Sequence, residues 1–449
     1  MTTAPPLHSP WGMPGKLPPL GLAYVGAALE KSGFQVEILD NYNLEKTIEQ
    51  VKHEIERLEP EIVGISCASV TYRRCIETAK AVKEALPSCR VVIGGWQPSY
   101  MPESMLQHPE IDYLVIGEGE EAIVELANSI TKGEGKSDVA EISGIAYRRN
   151  GKTVKTPSKF IQNLDQIPFP ARHLLPMRIY DRVMPYVNMN PVDTMNVVRG
   201  CPYNCAYCET KKLWGSRVRA FSPPRVVEEI NQLAQNYGSK GIYFVGDNFT
   251  INKKRTKELC KLMKKEKLDI EWVCDTRVDH VSRELLREMK AAGCRTIFFG
   301  VESGSARILE KLNKQITVEQ VTRAFKLCRE QGIQTSCSFM LGIPGETVED
   351  MEATFRFARK LDPDWCQFNT YVAVPGSALY NEIMENGLYD RVEDFVTYVK
   401  TKDFDYELVS KIQKRFHMSF NRSPKRILRK IRREGFLNVV RQGFRYMAH

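Results

Sequence analysis

Two regions of the chain alternate short apolar runs with longer amphipathic stretches. In the first region the apolar runs are VEIL at 36–39, IVGIS at 62–66, RVVIG at 90–94 and YLVIG from 113 onward. Stretches that are apolar every three or four residues separate them, at 22–33, 44–58 and 72–86. Short β-branched runs between amphipathic helices are typical of a parallel sheet with helices on both faces. We therefore predict a doubly wound, Rossmann-like α/β domain in this region.

The second region begins near residue 193 and alternates more regularly. Its apolar runs are MNVVR at 195–199, GIYFVG at 241–246, EWVCD at 271–275, RTIFFG at 295–300, TSCSFML at 335–341 and CQFNTY at 366–371. Helical patterns lie between them at 223–237, 252–266, 281–292, 317–331 and 346–361. Strand–helix units in succession predict a partial TIM-like (βα)6 barrel.

Outside these regions the pattern changes. Residues 133–192 are rich in glycine, serine and proline and indicate a linker, with a hairpin around IAYRRNGKTVK. We divide the chain into a first domain over 1–135, a linker over 136–192, a barrel over 193–395 and a basic helical region over 396–449.

The composition is that of a globular protein, with 43% hydrophobic and 27% charged residues among 449. No apolar run is long enough to span a bilayer and no signal-peptide pattern is evident, so we expect a cytoplasmic protein. In that compartment its twelve cysteines favour thiol, metal or redox chemistry over disulfides.

The basic charge is concentrated in the tail. Residues 411–449 hold twelve lysines and arginines against one acid, Glu434, whereas the whole chain has a net charge of +9. Apolar residues recur among these cations at near-helical spacing: Ile427, Leu428, Ile431, Phe436, Val439, Val440 and Phe444. A basic amphipathic helix can lie on an anionic membrane surface, and it can equally close the base of the barrel. We expect one of these roles and no nucleic-acid partner, because aromatic platforms for bases do not accompany the charges.

Three cysteines follow the first strand of the predicted barrel, in VVRGCPYNCAYCETKK. Cys201, Cys205 and Cys208 lie within eight residues, and no fourth cysteine follows closely. A structural zinc site needs four ligands, usually as two close pairs. A 4Fe–4S cluster can instead use three thiolates and keep its fourth iron open. The spacing favours the cluster and leaves zinc as the alternative.

Other polar or glycine-rich residues also follow barrel strands, where barrels of this type carry their active sites. Gly246-Asp247-Asn248 follows the second strand, Arg277 the third and Glu302-Ser303 the fourth. The turn LGIPGET, which contains Gly342, Pro344 and Gly345, follows the fifth. We therefore expect an active site at this mouth of the barrel.

Taken together, these residues resemble the radical S-adenosylmethionine (SAM) superfamily. The signature C-x-x-x-C-x-aromatic-C is carried by Cys201, Cys205, Tyr207 and Cys208. The resemblance implies that the three cysteines hold a 4Fe–4S cluster whose open iron is chelated by SAM. It further implies that the cofactor is contacted by Tyr207, Gly246, Asp247, Asn248, Glu302, Ser303, Gly342, Pro344 and Gly345.

The first domain resembles the cobalamin-binding domain of the cobalamin-dependent branch of that superfamily. Small residues at its strand ends let a large flat cofactor approach the backbone. The implied cobalamin contacts are Ser66, Ser69, Gly94, Gly95, Gly117, Glu118 and Gly119. Two departures stand out. The opening residues MTTAPPLHSPWGMPGK lack the pattern of the family's first strand, and Trp96-Gln97 replaces a histidine that many relatives carry. We therefore expect that the first strand is missing, through truncation, misassignment of the start or an incomplete sheet, and that no histidine ligates cobalt from below.

The resemblance implies an oxygen-sensitive enzyme. It would cleave SAM reductively, with electrons from a partner such as flavodoxin or ferredoxin, and the resulting 5′-deoxyadenosyl radical would take hydrogen from an unactivated carbon. The implied outcome is methylation, carbon–carbon coupling or ring closure on a hydrophobic lipid, isoprenoid or tetrapyrrole-like substrate. The alternatives are a radical SAM enzyme with a vestigial cobalamin domain and a non-catalytic iron–sulfur protein. A methylthiotransferase is not expected, because Cys67, Cys75 and Cys89 lack the spacing of a second cluster site.

Overall fold

The structure is a computed structural model, and it describes residues 2–3, 17–131, 139–184, 186–424, 426–428 and 431. Its first domain is built on a six-stranded sheet in the order β1-β2-β3-β4-β5-β6. The strands are β1 Thr2–Thr3, β2 Ile62–Ser66, β3 Arg90–Gly94, β4 Tyr113–Val115, β5 Ile145–Arg149 and β6 Lys152–Lys155. The helices are α1 Leu20–Lys31, α2 Asn41–Leu44, α3 Ile48–Leu58, α4 Tyr72–Ala85, α5 Trp96–Tyr100, α6 Pro102–Met105 and α7 Glu120–Thr131.

The first sheet is doubly wound, as predicted. Pairing is parallel from β1 to β4, and successive residues of β3 point to opposite faces. Val91 and Ile93 join the core under α3 and α4, whereas Val92 joins the core under α1 and α7. Helices on both faces explain why the buried strands are apolar along their length.

The edges of this sheet differ from the expectation in three ways. The predicted strand at 36–39 is wrong, because only Leu39 forms an isolated bridge there. The hairpin predicted in the linker is confirmed, and β5 extends the first sheet by pairing antiparallel with β4. At the opposite side, Thr2 and Thr3 pair with Ile65 and Ser66 as a two-residue first strand. Residues 4–16 of the predicted strandless opening lie outside the described residues.

The barrel sheet has the order β14-β13-β12-β11-β10-β7, and all its pairs are parallel. Its strands, with a small β8–β9 ribbon, are β7 Val192–Asn196, β8 Val198–Arg199, β9 Arg219–Ala220, β10 Gly241–Val245, β11 Glu271–Thr276, β12 Cys294–Glu302, β13 Gln334–Leu341 and β14 Trp365–Thr370. Its helices are α8 Thr210–Trp214, α9 Pro223–Tyr237, α10 Lys253–Lys265, α11 Arg283–Ala291, α12 Ala306–Lys311, α13 Val318–Glu330 and α14 Val348–Leu361. The six predicted strands and five predicted helices are confirmed, and the strand order is that of a partial barrel.

Local signals explain these boundaries. Ser222 caps α9 by accepting from the Arg225 amide, and Pro223 begins the helix where no donor is needed. Thr317 and Gln320 form a capping box at the start of α13. Parallel pairing of the six strands brings their carboxyl ends to one mouth.

The region after β14 contains strands as well as the predicted helix. Its elements are β15 Val372–Ala373, α15 Ala378–Glu385, β16 Tyr389–Glu393, β17 Val396–Val399 and α16 Tyr406–Asn421. The helix α16 packs on the outer face of β14, where Phe416 lies against Phe368 and Gln413 donates to its carbonyl at 2.8 Å. Phe436, Val439, Val440 and Phe444 of the predicted basic helix lie outside the described residues.

Candidate active site

The three cysteines lie in a loop that leaves the β8–β9 ribbon. Gly200 starts the loop with φ +90°, and a Cβ there would lie 2.2 Å from the Arg217 carbonyl, so only glycine fits. The Cys201 amide donates to the Gly215 carbonyl at 3.2 Å, and the Ala206 amide donates to the Leu312 carbonyl at 2.8 Å. These bonds fix the loop at its neck and at its tip.

The thiols of this loop suit a metal cluster. All three are partly exposed and none is in a disulfide. Burial raises the pKa of Cys201 and takes that of Cys208 to about 11, and the neighbouring Cys205 adds to both. Among the described residues, no three His, Cys, Asp or Glu side chains form a site for a single metal ion. Cys205 lies close enough to both other thiols to raise their pKa values, and three such thiols form the donor set expected for a cluster with one open iron.

The aromatic residue of the cysteine signature belongs to a buried polar triad. The Tyr207 hydroxyl donates to Glu302 Oε1 at 2.9 Å. Lys314 Nζ donates to the same oxygen at 2.9 Å and to the Tyr207 oxygen at 2.8 Å. Glu302 and Lys314 are each 6% exposed. The triad therefore fixes one carboxylate oxygen of Glu302 directly behind the cysteine loop.

A bulge in β12 aims Glu302 into the mouth. The pairing with β13 shifts register between Gly300 and Glu302, and Glu302 has a φ of +73°. A Cβ at Gly300 would lie 2.4 Å from Glu302 Oε1, so a side chain there would displace the Glu302 carboxylate from this position. The predicted Ser303 is placed differently, because its fully buried hydroxyl bonds the Thr354 hydroxyl at 3.1 Å.

The predicted Gly246-Asp247-Asn248 segment lies beside the cysteine loop. Asp247 accepts from the Gly200 amide at 3.2 Å, and burial raises its pKa to about 6. Asn248 is fully buried, and its oxygen accepts from the Thr276 hydroxyl at 2.6 Å. Asp247 is therefore the open side chain of this segment, whereas Asn248 fixes its shape.

The turn after β13 is closed by a residue that the sequence analysis did not single out. Glu346 is fully buried and accepts from the Gly342 amide at 2.7 Å and the Ile343 amide at 3.0 Å. Pro344 is buried and Gly345 is exposed at the tip. A GIPGE pattern could have suggested this closure, because the glutamate follows Gly342 by four residues and can fold back on it.

A further acid, Asp275, also lies at the mouth. Asp275, on β11, accepts from the Tyr243 hydroxyl at 2.9 and 2.8 Å, and burial raises its pKa to about 7. Arg277, which the sequence analysis placed after the same strand, stacks on the Tyr203 ring at 3.7 Å and pairs with Asp279. These contacts hold Arg277 against the outer part of the cysteine loop.

The first domain contains a cavity of about 980 Å³ that runs along β2, from Pro60 to Ser66, and reaches the loops after β3 and β4. Five of the predicted small residues line it: Ser66, Gly94, Gly95, Gly117 and Gly119. Trp96 and the barrel residues Leu213 and Trp214 also line it. At the glycines the wall of the cavity is formed by backbone atoms. No side chain fits at Gly95, because a Cβ there would lie 2.6 Å from the Cys67 carbonyl oxygen. This wall suits a flat macrocycle, as expected for cobalamin.

Ser69 and Glu118 do not line this cavity. The Ser69 hydroxyl donates to Gln97 Oε1 at 2.6 Å. Glu118 accepts from Arg219 at 2.8 and 2.7 Å, from Arg199 at 3.2 Å and from the Ile161 amide at 2.7 Å. Both carboxylate oxygens of Glu118 are thus occupied by protein donors and are not open to a cofactor.

Comparison with known proteins follows the same division of the chain. A model of the radical SAM superfamily matches residues 195–358, and a B12 binding domain model matches residues 13–127. The chain is 36% identical over 421 residues to the uncharacterized methyltransferase PH0819 of Pyrococcus horikoshii, over 92% of this chain and 90% of the relative. It is 32% identical over 408 residues to the anaerobic magnesium-protoporphyrin IX monomethyl ester cyclase of Rubrivivax gelatinosus, over 89% and 70%.

A solved structure has the same arrangement. The radical SAM methyltransferase TsrM of Kitasatospora setae, determined with cobalamin and a 4Fe–4S cluster, superposes with a TM-score of 0.71 at 22% identity. The match covers 87% of this chain and 78% of TsrM. At this identity the likeness concerns the fold alone.

Proposed function

The chain belongs to the cobalamin-dependent radical SAM enzymes, and we propose that it methylates, or closes a ring on, an unactivated carbon of a hydrophobic substrate. Family membership confirms the predicted enzyme class and the predicted cofactor set of 4Fe–4S cluster, SAM and cobalamin. The substrate and the choice between methylation and ring closure are the proposed part.

One observation carries the proposal: the two cofactor sites share a wall. The cavity in the first domain is lined by Leu213 and Trp214, which belong to the helix directly after Cys208. Cobalamin in that cavity would therefore lie next to the cluster loop. Bound SAM supplies, after one-electron reduction, the radical that removes hydrogen from an unactivated carbon. Asp247 and Glu302 would hold SAM, and the first domain, whose Tyr100 hydroxyl donates to the Glu209 carbonyl at 2.9 Å, would help to exclude water from the mouth.

Apolar side chains inside the barrel support a hydrophobic substrate. Phe299, Phe339 and Phe368 point outward, because Phe299 contacts α13, and Phe339 stacks on Phe368, which contacts α16. Their neighbours on each strand therefore point into the barrel. These partly buried inner residues include Phe298, Met340, Gln367 and Asn369. Phe298 and Met340 would contact the apolar part of such a substrate and the Asn369 amide would bind a polar group, as in a porphyrin ester of the kind named for the Rubrivivax enzyme.

The reductant and the membrane are further parts of the proposal. Lys211 and Lys212 are exposed directly after the cluster loop and suit an acidic electron carrier such as flavodoxin or ferredoxin. Helix α16 exposes Leu408 and Met418 beside Lys411, Lys414 and Arg422, which suits peripheral contact with an anionic membrane. Among the described residues, no helix has the length and apolarity to cross a bilayer.

The test uses protein reconstituted without oxygen with iron, sulfide and hydroxocobalamin. We expect corrin absorbance to comigrate with the protein, and 5′-deoxyadenosine to form faster with a porphyrin methyl ester or an isoprenoid lipid than with a free amino acid. No corrin with a cleavage-competent protein would favour the vestigial-domain alternative. Stimulation by the amino acid alone would contradict the hydrophobic substrate.

Sedimentation with anionic vesicles tests the membrane contact, and protein that stays in solution at low salt would contradict it.

A further inference from the structure

A buried cluster of charges joins the first domain to the neck of the cysteine loop. Glu118 lies between Arg199 and Arg219, and the side chains of the three residues are 1%, 2% and 3% exposed. Glu120, at the start of α7, also binds Arg199. Two acids and two arginines thus balance in charge inside the protein, as buried ions require.

The position of the two arginines explains why an acid is needed between them. Arg199 and Arg219 are direct partners across the β8–β9 ribbon. Like charges at opposite positions of a ribbon repel each other, and the ribbon is only two residues long on each side. Glu118 compensates this repulsion by accepting from both guanidinium groups. The ribbon that closes the cluster loop therefore depends on a carboxylate from the other domain.

Each end of this ion cluster reaches one cofactor site. On the barrel side, Arg199 precedes Gly200 and Cys201, and Arg219 donates to the Trp214 carbonyl at 2.6 Å. On the other side, Gly117, Gly119 and Glu120 line the cavity of the first domain. Glu118, which lies between Gly117 and Gly119, accepts from both arginines of the ribbon. Buried ion pairs therefore join the loop that lines the cavity to the neck of the cluster loop.

We propose that Glu118 is a positioning residue that couples the two cofactor sites, so that an assembled cluster loop favours corrin binding and bound corrin favours the assembled loop. This inference rests on the proposed function, because it requires cobalamin in the cavity of the first domain. Coupling between two sites must be reciprocal and typically changes affinity by about 5- to 150-fold. We expect about tenfold tighter corrin binding once the cluster is assembled.

The test is an anaerobic titration with hydroxocobalamin, followed by corrin absorbance, before and after cluster reconstitution. The wild-type protein should show the tightening, and Glu118→Gln should reduce the ratio of the two dissociation constants to about one. Glu229→Gln is the matched control, because Glu229 forms an equally buried ion pair with Arg172 at 2.9 Å, and Arg172 is not part of the ribbon. It should lose stability and keep the coupling.

The variant Glu120→Gln removes only the second contact to Arg199 and should reduce the coupling partly. It gives a measurement if Glu118→Gln does not fold.

Three results would overturn the inference while leaving the proposed function intact. They are equal corrin affinity in the two wild-type states, full coupling in the Glu118→Gln and Glu120→Gln proteins, and loss of coupling in Glu229→Gln. Failure of the wild-type protein to bind corrin in either state is a different outcome. It would contradict the proposed function and, with it, this inference.

Discussion

The active site has one side in the barrel and one in the first domain, and the two sides are formed by different kinds of residue. On the barrel side, side chains in hydrogen bonds define the site, as in the Tyr207–Glu302–Lys314 triad and the Asp247–Gly200 contact. On the side of the first domain, the cavity is lined mostly by apolar side chains, with the backbone of glycines such as Gly94 and Gly95 forming part of its wall. One side supplies functional groups and the other supplies space. A substitution on the barrel side should therefore remove a functional group, whereas a substitution in the first domain should reduce the volume of the cavity.

The cysteines give the largest expected effect. Cys201→Ala, Cys205→Ala or Cys208→Ala should each abolish cluster iron and SAM cleavage, because three thiolates are the minimum for a cluster with one open iron. Iron and sulfide analysis and 5′-deoxyadenosine assays measure this. Cys328→Ala is the control, since Cys328 is fully buried in α13 and should keep its iron at a stability cost of about 1 kcal/mol. A full iron complement in any of the three loop variants would contradict the assignment.

The second prediction concerns how burial of the Glu346 carboxyl group changes the free energy of unfolding with pH. Burial raises the pKa of Glu346 from 4.5 to about 7, despite the two amides that lower it. The folded protein therefore retains a proton that the unfolded chain loses above pH 4.5, so the free energy of unfolding should fall as pH rises from 4.5 to 7. The loss is about 3 kcal/mol for a shift of this size.

The variant Glu346→Gln isolates this effect. It keeps a side-chain oxygen for the Gly342 and Ile343 amides but cannot titrate. Chemical denaturation of both proteins at pH 5 and pH 8, without SAM, should show a smaller loss of stability with pH in the variant. Equal losses in the two proteins would show that Glu346 is not buried as described.

The third prediction concerns a substitution that reduces the volume of the cavity in the first domain. Gly94→Val should weaken corrin binding by about 10- to 100-fold, since forcing extra atoms into a close fit costs about 1–3 kcal/mol. A Cβ at Gly94 would meet only Val115 at 3.7 Å, an ordinary contact, so Gly94→Ala should fold normally and give a smaller effect. Gel filtration with corrin absorbance measures both, and cluster iron should stay unchanged. Undiminished corrin binding in Gly94→Val would place cobalamin elsewhere.

The smallest predicted effect concerns the triad. Lys314→Met should weaken SAM binding by about tenfold, the lower end of the range for groups that orient a ligand-binding side chain, because Glu302 loses a fixed position. Equilibrium binding of SAM measures it. Lys311→Met is the control, because Lys311 pairs with Glu382 at the surface, with 30% of its side chain exposed. Equal affinities of the Lys314 and Lys311 variants would show that the triad does not position Glu302.

The same difference decides what the sequence could predict. Except at 36–39, the predicted strands of both domains followed from apolar runs, and the cysteine loop followed from residue types that few other sites use together. Lys314 was missed because its partners are 12 and 107 residues away, in a stretch that resembles an ordinary helix end. Glu118 was assigned to the cofactor because it stands between two glycines at a strand end. Its arginine partners, 81 and 101 residues away, are visible only in the fold.

The strand expected at 36–39 failed for a related reason. An apolar run shows that a segment is buried, but pairing depends on a neighbouring strand. In the described part of the first sheet, the strand that pairs with β2 on that side has only the two residues Thr2 and Thr3. The run therefore stays extended, and Leu39 alone forms a bridge.

The central claim is that the cluster loop and the cavity of the first domain form one active site. Electron paramagnetic resonance of protein reconstituted with both cofactors tests it most directly, because a reduced cluster and cob(II)alamin are both paramagnetic. We predict that reducing the cluster broadens the cob(II)alamin signal and speeds its relaxation, and that Cys208→Ala abolishes the change. A cob(II)alamin signal that is the same with and without the reduced cluster would show that the two sites are far apart, and would contradict the account.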